Sequence, residues 1–254
     1  LREFYKPEVP AVLKGSCSMR QSDDELPEPV SEVLRQLFPR TGQLPLLQLE
    51  PTEARAGIRR PFNAGVLLSG GQAPGGHNVI AAVYDALKAH HAASRLYGFL
   101  MGPGGLLKHQ FIELHKDLID RYRNSGGFDM IGSDRTKIER VEDFEKVITI
   151  ARRLDLSALI IIGGDDSATN AALLAEYCAE QGEKLCVVGC PKTIDGDLKN
   201  RYIETSFGFD TCAKVYSELV GNIQRDCYSA KKYWHFIKLM GRSASHLTLE
   251  CALQ

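Results

Sequence analysis

Three stretches of this chain combine glycines with side chains that handle charged oxygens. The first is Ser69-Gly70-Gly71-Gln72-Ala73-Pro74-Gly75-Gly76-His77-Asn78. Its four glycines let the backbone approach a ligand closely and adopt φ > 0. A helical pattern follows, and the unpaired amides of a helix's first turn suit a phosphate. A tight strand-to-helix turn without any ligand would use the same glycines. The run is not a Walker A loop, because no Lys-Ser or Lys-Thr pair follows it. The Gly102-x-Gly104 pair downstream lacks the third glycine of a dinucleotide fingerprint, since Leu107 stands there. His77, a lone histidine, reads as structural.

The second stretch is Gly163-Gly164-Asp165-Asp166-Ser167. One of two adjacent carboxylates can hold Mg²⁺, which favours one or two carboxylates plus phosphate oxygens. The plainer reading is a helix start, with Asp166 or Ser167 accepting first-turn amides. Ser167 is expected to take that capping place. The third stretch is Pro191-Lys192-Thr193-Ile194-Asp195-Gly196-Asp197. A carboxylate here can take a proton from a sugar hydroxyl, and a lysine can neutralise charge on a transferring phosphoryl group. Spacing does not fix whether Lys192 and Asp195 point the same way. A solvated turn with a surface ion pair of little worth is the alternative.

Alternating strand and helix patterns predict how these loops are carried. Strand-like runs cover 64–69, 96–101, 158–162, 185–188 and 234–239. Helical spacing covers 78–90, 110–122, 141–154, 168–180 and 211–226, and a further helix-like run closes the chain at 244–254. Such alternation implies βαβ units, a doubly wound parallel sheet and an α/β fold. The continuous apolar run 158–162 fits a strand covered on both faces. In these sheets ligands sit beyond the carboxyl ends of the strands, where 70–78, 163–170 and 191–197 all fall. Residues 1–60 differ: they hold seven of the eleven prolines, which break long elements. They are expected to form an N-terminal extension with one short helix at 30–37.

Composition excludes several classes. With 31 Lys+Arg against 32 Asp+Glu, the formal net charge is -1. A sequence-independent nucleic-acid binder would carry a basic excess. No apolar run reaches the roughly 18 residues of a membrane span, and no secretory signal is visible. Seven cysteines without a CxxC read as reduced, mostly buried thiols of a cytoplasmic protein. The chain opens on Leu1 and closes at Gln254 inside a helix-like run, as expected of a piece of a longer polypeptide.

Taken in order, the three loops resemble the phosphofructokinase family, and its pyrophosphate-dependent long branch in particular. The matching segments are LLSGGQAPGGHN (67–78), GFDMIGSDRTKI (127–138), IIIGGDDSATNA (160–171), GCPKTIDGDLK (189–199), TSFGFDTCAKVYSE (205–218) and KYWHFIKLMGRSASHLTLECALQ (232–254). The resemblance covers about 60–254 and implies three parts. These are the extension at 1–60, a diphosphate and metal domain at 61–205, and the truncated start of a sugar-phosphate domain at 206–254.

ATP-dependent members of the family carry GGDGS and PGTIDND, where this chain has Asp166 and Lys192. The resemblance implies that glycine at position 166 makes room for a nucleotide's α-phosphate, which a carboxylate would repel. Two unit charges ~4 Å apart cost on the order of 4 kcal/mol at an effective dielectric of 20. The implied substrates are pyrophosphate and fructose 6-phosphate, with Mg²⁺ as metal. Fructose 1,6-bisphosphate and phosphate would be the products of a reversible glycolytic transfer.

Roles implied residue by residue make Asp195 the base for the C1 hydroxyl, with Thr193 and Ile194 lining the sugar phosphate and Asp197 a supporting, substrate-side carboxylate near the metal or the sugar. Lys192 and Arg135 would support the transferred phosphoryl group. Gly71 would let the diphosphate approach, and Asp165 would hold the metal. Met240, Gly241 and Arg242 would bind the sugar phosphate. Lys232 and Tyr233 would reach it across a subunit interface, in a homo- or hetero-oligomer that shares active sites. The family's remaining acceptor contacts lie beyond these residues. An ATP-dependent relative and a non-catalytic regulatory subunit are the alternatives.

Overall fold

The computed structural model describes residues 4, 6, 8–22, 31–53, 60–200, 203–241 and 245–254. Val30, Arg242 and Ala244 lie outside the described residues. In chain order the elements are β1 (Cys17–Gln21), α1 (Glu32–Leu37), β2 (Leu47–Pro51), β3 (Asn63–Ser69), α2 (Gly76–His90), β4 (Arg95–Phe99) and α3 (Gly102–Leu107). They continue with β5 (Phe111–Glu113), α4 (Lys116–Tyr122), β6 (Ser133–Asp134), α5 (Val141–Arg153), β7 (Leu156–Gly163), α6 (Asp165–Glu180), β8 (Cys186–Thr193), β9 (Phe207–Gly208), α7 (Phe209–Ala230) and α8 (His246–Leu253).

The strands β3 and β7 are apolar on both sides because the sheet is covered on both sides. Ala64, Val66 and Leu68 of β3 face one apolar cluster with Ile80, Ala81 and Tyr84 of α2 and Ile119 of α4. Leu67 faces a second cluster with Phe144 and Val147 of α5 and Leu174 of α6. Each fully buried aliphatic side chain contributes roughly 1.5–3 kcal/mol. Helix α5 shows the pattern that makes this possible. Phe144, Val147, Ile148 and Ala151 fall on its buried face, with Glu142 and Asp143 in its first turn and Arg152 and Arg153 in its last. The charges oppose the helix dipole at both ends.

The sheet order is β5-β4-β3-β7-β8-β9, with β6 also paired to β3. All pairings are parallel except β4 with β5. From β3 the chain first adds β4 on one side and then returns to add β7 on the other. That reversal opens a crevice at the carboxyl end of β3. The α/β expectation therefore holds, for a mostly parallel rather than an all-parallel sheet.

Three expectations need correction, and one segment left without a reading takes a definite form. Residues 110–122 are not one helix: Phe111–Glu113 pairs antiparallel with Tyr97–Phe99, and α4 starts only at Lys116. Edge contacts between Phe111 and the rings of Tyr97 (5.7 Å) and Phe99 (6.2 Å) favour the strand. The glycines at 102–105 form a helical turn, with Pro103 near its start and Asp134 Oδ1 accepting the Gly104 N–H at 3.2 Å. A strand at 234–239 is absent, and Trp234 and Phe236 are 93% and 96% exposed. A strand needs a neighbour to bond, and the described residues put none beside this segment. Lastly, Cys178 and Cys251 are buried, but Cys17 and Cys186 are exposed and the other three intermediate; all seven are free thiols.

The extension is tied to the body. Strands β1 and β2 form an antiparallel pair. Further along, the Glu176 carboxylate of α6 accepts the backbone N–H groups of Arg40 and Thr41, both at 2.8 Å, and the Thr41 hydroxyl at 2.6 Å. Burial raises the Glu176 pKa, but these bonds outweigh it and leave the group below its ordinary range. A depressed carboxylate pKa adds stability above the unfolded value that is lost as pH falls through the folded one. Glu176→Ala is therefore expected to speed tryptic cleavage after Arg40 several-fold at neutral pH. Wild-type cleavage, followed by mass spectrometry after brief exposure to falling pH, should approach the variant's as Glu176 protonates.

Candidate functional site

Three strands deliver the candidate loops to the crevice. Strand β3 ends at Ser69 just before Gly70-Gly71, β7 at Gly163 with Gly164 leading into α6, and β8 at Lys192-Thr193. The parallel register sets Leu68 beside Ile162 and Gly163 beside Pro191, so the three ends are level. A buried bond from the Ser167 hydroxyl to that of Ser69, 2.8 Å, ties the first two loops together. Ser167 is thus not the helix cap: Gly164 holds that position, and no side chain caps it. Gly163 must lack a Cβ, which would lie 2.3 Å from the Ser167 side chain.

Lys192 joins the third loop to the first. Because β8 runs on to Thr193, the lysine sits on a strand rather than in a free loop. Its side chain is buried, its Nζ donates to the Gly71 carbonyl, and it lies 5.8 Å from the centroid of the Phe128 ring. Burial, and then the nearby Arg135 guanidinium, hold the ammonium below the ordinary lysine range, against the opposing pull of Asp195 and Asp165. One charge thereby senses residues from all three loops and from the segment after β6.

Arg135 is placed by its own backbone neighbours. Strand β6 pairs with the end of β3, Ser69 beside Asp134, and the Gly70 N–H donates to the Asp134 carbonyl at 2.8 Å. The Ser133 hydroxyl donates to the Gly70 carbonyl at 3.1 Å. Arg135 Nη2 then comes so near Gly71 that a Cβ there would lie 3.2 Å from it. Gly70 adopts φ +84, a conformation natural only to glycine.

On the other wall, the Asp195 N–H donates to the Thr193 hydroxyl at 3.0 Å, and the Ser206 hydroxyl donates to the Thr193 carbonyl at 3.0 Å. Strand β9 pairs beside Lys192 and Thr193. Asp195 is half-buried, while Asp165, Asp166 and Asp197 are exposed.

The predicted residues therefore divide into groups. Gly71, Arg135, Asp165, Lys192, Thr193 and Asp195 converge on the crevice. Asp166 sits in the first turn of α6, where solvent screens its charge. The Coulomb cost given above is an upper bound for it. Ile194 points into an apolar cluster with Ala73, Ala213 and Leu247, where Leu239 also packs. Met240, the next residue, is exposed. Lys232 and Tyr233 follow the far end of α7, a 22-residue helix about 33 Å long. They are exposed, with the Lys232 Nζ 5.2 Å from the Tyr233 ring centroid.

No group of three or more ligating side chains gathers among the described residues. Asp165, an exposed carboxylate at the crevice, suits a hard cation that takes most of its oxygens from a phosphate. Phe128 and the Ser69–Ser167 pair escaped sequence reading, since a lone aromatic or two distant serines carry no spacing signal. His77 is fully buried as expected. Its Nε2 accepts the Met130 N–H at 3.0 Å and its Nδ1 lies 2.7 Å from the Ser125 hydroxyl. A cavity of about 1680 Å³ lies on the other side of the glycine loop, beside Gln72, Pro74, Asn78 and Phe207. Lys192, Asp165 and Asp195 do not line it.

Comparison with known proteins bears on these loops. The phosphofructokinase family model matches residues 63–254. The pyrophosphate–fructose 6-phosphate 1-phosphotransferase of Porphyromonas gingivalis is 60% identical across 100% of this chain and 46% of its own length. Subunit beta 1 of the Arabidopsis thaliana enzyme of that name is 48% identical across 97% of this chain and 44% of its own. The chain thus spans about half the length of the curated relatives it matches. A crystal structure of a pyrophosphate-dependent phosphofructokinase from Marinobacter aquaeolei has the same fold. Its TM-score is 0.66 at 24% identity, over 76% of this chain and 49% of that one.

Two glycines separate site from scaffold. A Cβ on Gly76 would lie 2.3 Å from the Phe128 ring and 2.9 Å from the Gly127 carbonyl, whereas one on Gly71 meets only the tip of Arg135. Gly76→Ala is expected to cost about 2 kcal/mol or more in urea unfolding. Gly71→Ala should leave stability within about 0.5 kcal/mol in the same measurement.

Proposed function

Because the chain belongs to the phosphofructokinase family, we propose that the whole protein transfers a phosphoryl group reversibly from pyrophosphate to the C1 hydroxyl of fructose 6-phosphate. The observation that carries this reading is the buried Lys192 ammonium, bonded to the Gly71 carbonyl and facing Arg135, Asp165 and Asp195. The names and high identity of the relatives support the choice of donor and acceptor.

In this reading the diphosphate lies against the backbone of Gly70 and Gly71, between Lys192 and Arg135. The two cations are already in place before charge develops on the moving phosphoryl group, so little reorganisation is needed during transfer. Asp195 takes the proton from the attacking hydroxyl, and Thr193 holds the Asp195 backbone through its hydroxyl. Asp165 would hold a divalent cation, Mg²⁺ by its oxygen chemistry, whose charge neutralises diphosphate oxygens when bound. Asp166 disfavours a nucleotide at the mouth of the crevice.

Residues 61–205 then form the diphosphate half and 206–254 the start of the sugar-phosphate half; Asp197 from the first, with Met240, Gly241 and Arg242 from the second, serves the acceptor, while Ile194 packs in the core beneath. Lys232 and Tyr233, set about 30 Å from the crevice by α7, serve the site of a neighbouring subunit. This fits an oligomer with shared sites, and the Arabidopsis thaliana relative is itself named as a subunit. The reading also places the protein in the cytoplasm; no described helix is long and apolar enough to cross a membrane.

The test is the full-length protein with Mg²⁺, assayed for fructose 1,6-bisphosphate with pyrophosphate and, separately, with ATP. Turnover with pyrophosphate alone is expected, and turnover with ATP alone would refute the reading. Asp195→Asn should lower kcat by about 10²–10⁴ and Lys192→Met by about 10²–10³, with folding unchanged by circular dichroism. Asp166→Gly should raise kcat/KM for ATP about tenfold or more.

A further inference from the structure

We propose that Phe128 is a positioning residue for Lys192, its ring face keeping the ammonium charged and aimed at the glycine loop. The inference rests on the reading of Lys192 as the cation that faces the phosphoryl group. The Nζ stands 5.8 Å from the ring centroid, within the range of a cation–π contact, which strengthens when water is excluded. Both partners are excluded from water, Lys192 at 6% exposure and Phe128 at 2%.

The ring cannot drift. Its edge fills the space that a Cβ on Gly76 would need. The loop that carries it is pinned to the start of α2 on both sides. The Gly75 N–H donates to Gly126 at 2.6 Å and the His77 N–H to Gly127 at 3.0 Å. Past the ring, the Met130 N–H donates to the buried His77 Nε2 at 3.0 Å.

A ring suits this place for an electrostatic reason. A buried ammonium needs something that favours its charged form. A carboxylate in direct contact would do so but would also cancel the charge and repel a phosphate. The negative face of a ring supports the cation and leaves its field intact. The charged groups facing Lys192 are Arg135, which opposes its charge, and Asp195 and Asp165, which favour it. Phe128 works with the latter two without competing for the diphosphate.

The test replaces the ring by an apolar side chain without a π face, Phe128→Leu, in the full-length protein, with Phe128→Tyr as the conservative control. Competitive acetylation of Lys192 by acetic anhydride, read by mass spectrometry across neutral to alkaline pH, gives its titration midpoint. In the leucine variant the midpoint should fall by about half a unit or more. The basic limb of the kcat–pH profile should move the same way, while the tyrosine variant stays with the wild type. A leucine midpoint equal to or above that of the wild type, as an apolar wall alone would give, overturns the proposal. Phe128→Met asks the same question if the leucine variant does not fold. Should the protein show no transfer from pyrophosphate, the functional reading fails, and the labelling midpoint still decides the role of Phe128.

Discussion

A buried ammonium sets the terms for the rest of this structure. Taking a charge out of water costs several kcal/mol unless nearby groups compensate. For Lys192 the compensation comes from the Gly71 carbonyl, the Phe128 ring and the more distant Asp195 and Asp165, against the repulsion of Arg135. Each belongs to a different segment, so a single side chain obliges four segments to meet at one point. A cation held so rigidly has lost most of its freedom before any ligand arrives.

The glycines follow from the same crowding. At Gly70 the backbone turns with positive φ beside the lysine, and at Gly163 a side chain would collide with the serine pair that ties β3 to α6. Gly76 yields its space to the ring. The abundance of glycine in these loops thus reflects close approach of protein to protein as much as of protein to ligand. The interior around the crevice is packed like any core, and the ligand-facing surface is the small part left over.

A second constraint is length. Helix α7 starts beside the 193–197 loop and carries the chain about 33 Å away before it returns through Leu239 to α8. Its two ends therefore cannot serve one ligand. Leu239 packs back against the cluster that holds Ile194, whereas Lys232 and Tyr233 stay at the distant end. The aromatic run around Trp234 is exposed there, on the same segment as the pair assigned to a neighbouring site.

The sequence alone determined the alternation of strands and helices, the placement of three glycine-bearing loops at strand ends, and the family. Apolar periodicity, helix-start chemistry and six motifs are local properties, readable without a partner. It misjudged 110–122 and 234–239, where the outcome depends on whether another segment is present to pair or to press. Only the tertiary structure decided that Lys192 lies buried under Phe128, that Ser167 bonds Ser69 instead of capping its helix, and that Ile194 belongs to a core. Those outcomes rest on groups tens of residues apart, and a charge or a hydroxyl acquires its meaning from whatever distant atoms the fold brings within a few ångströms.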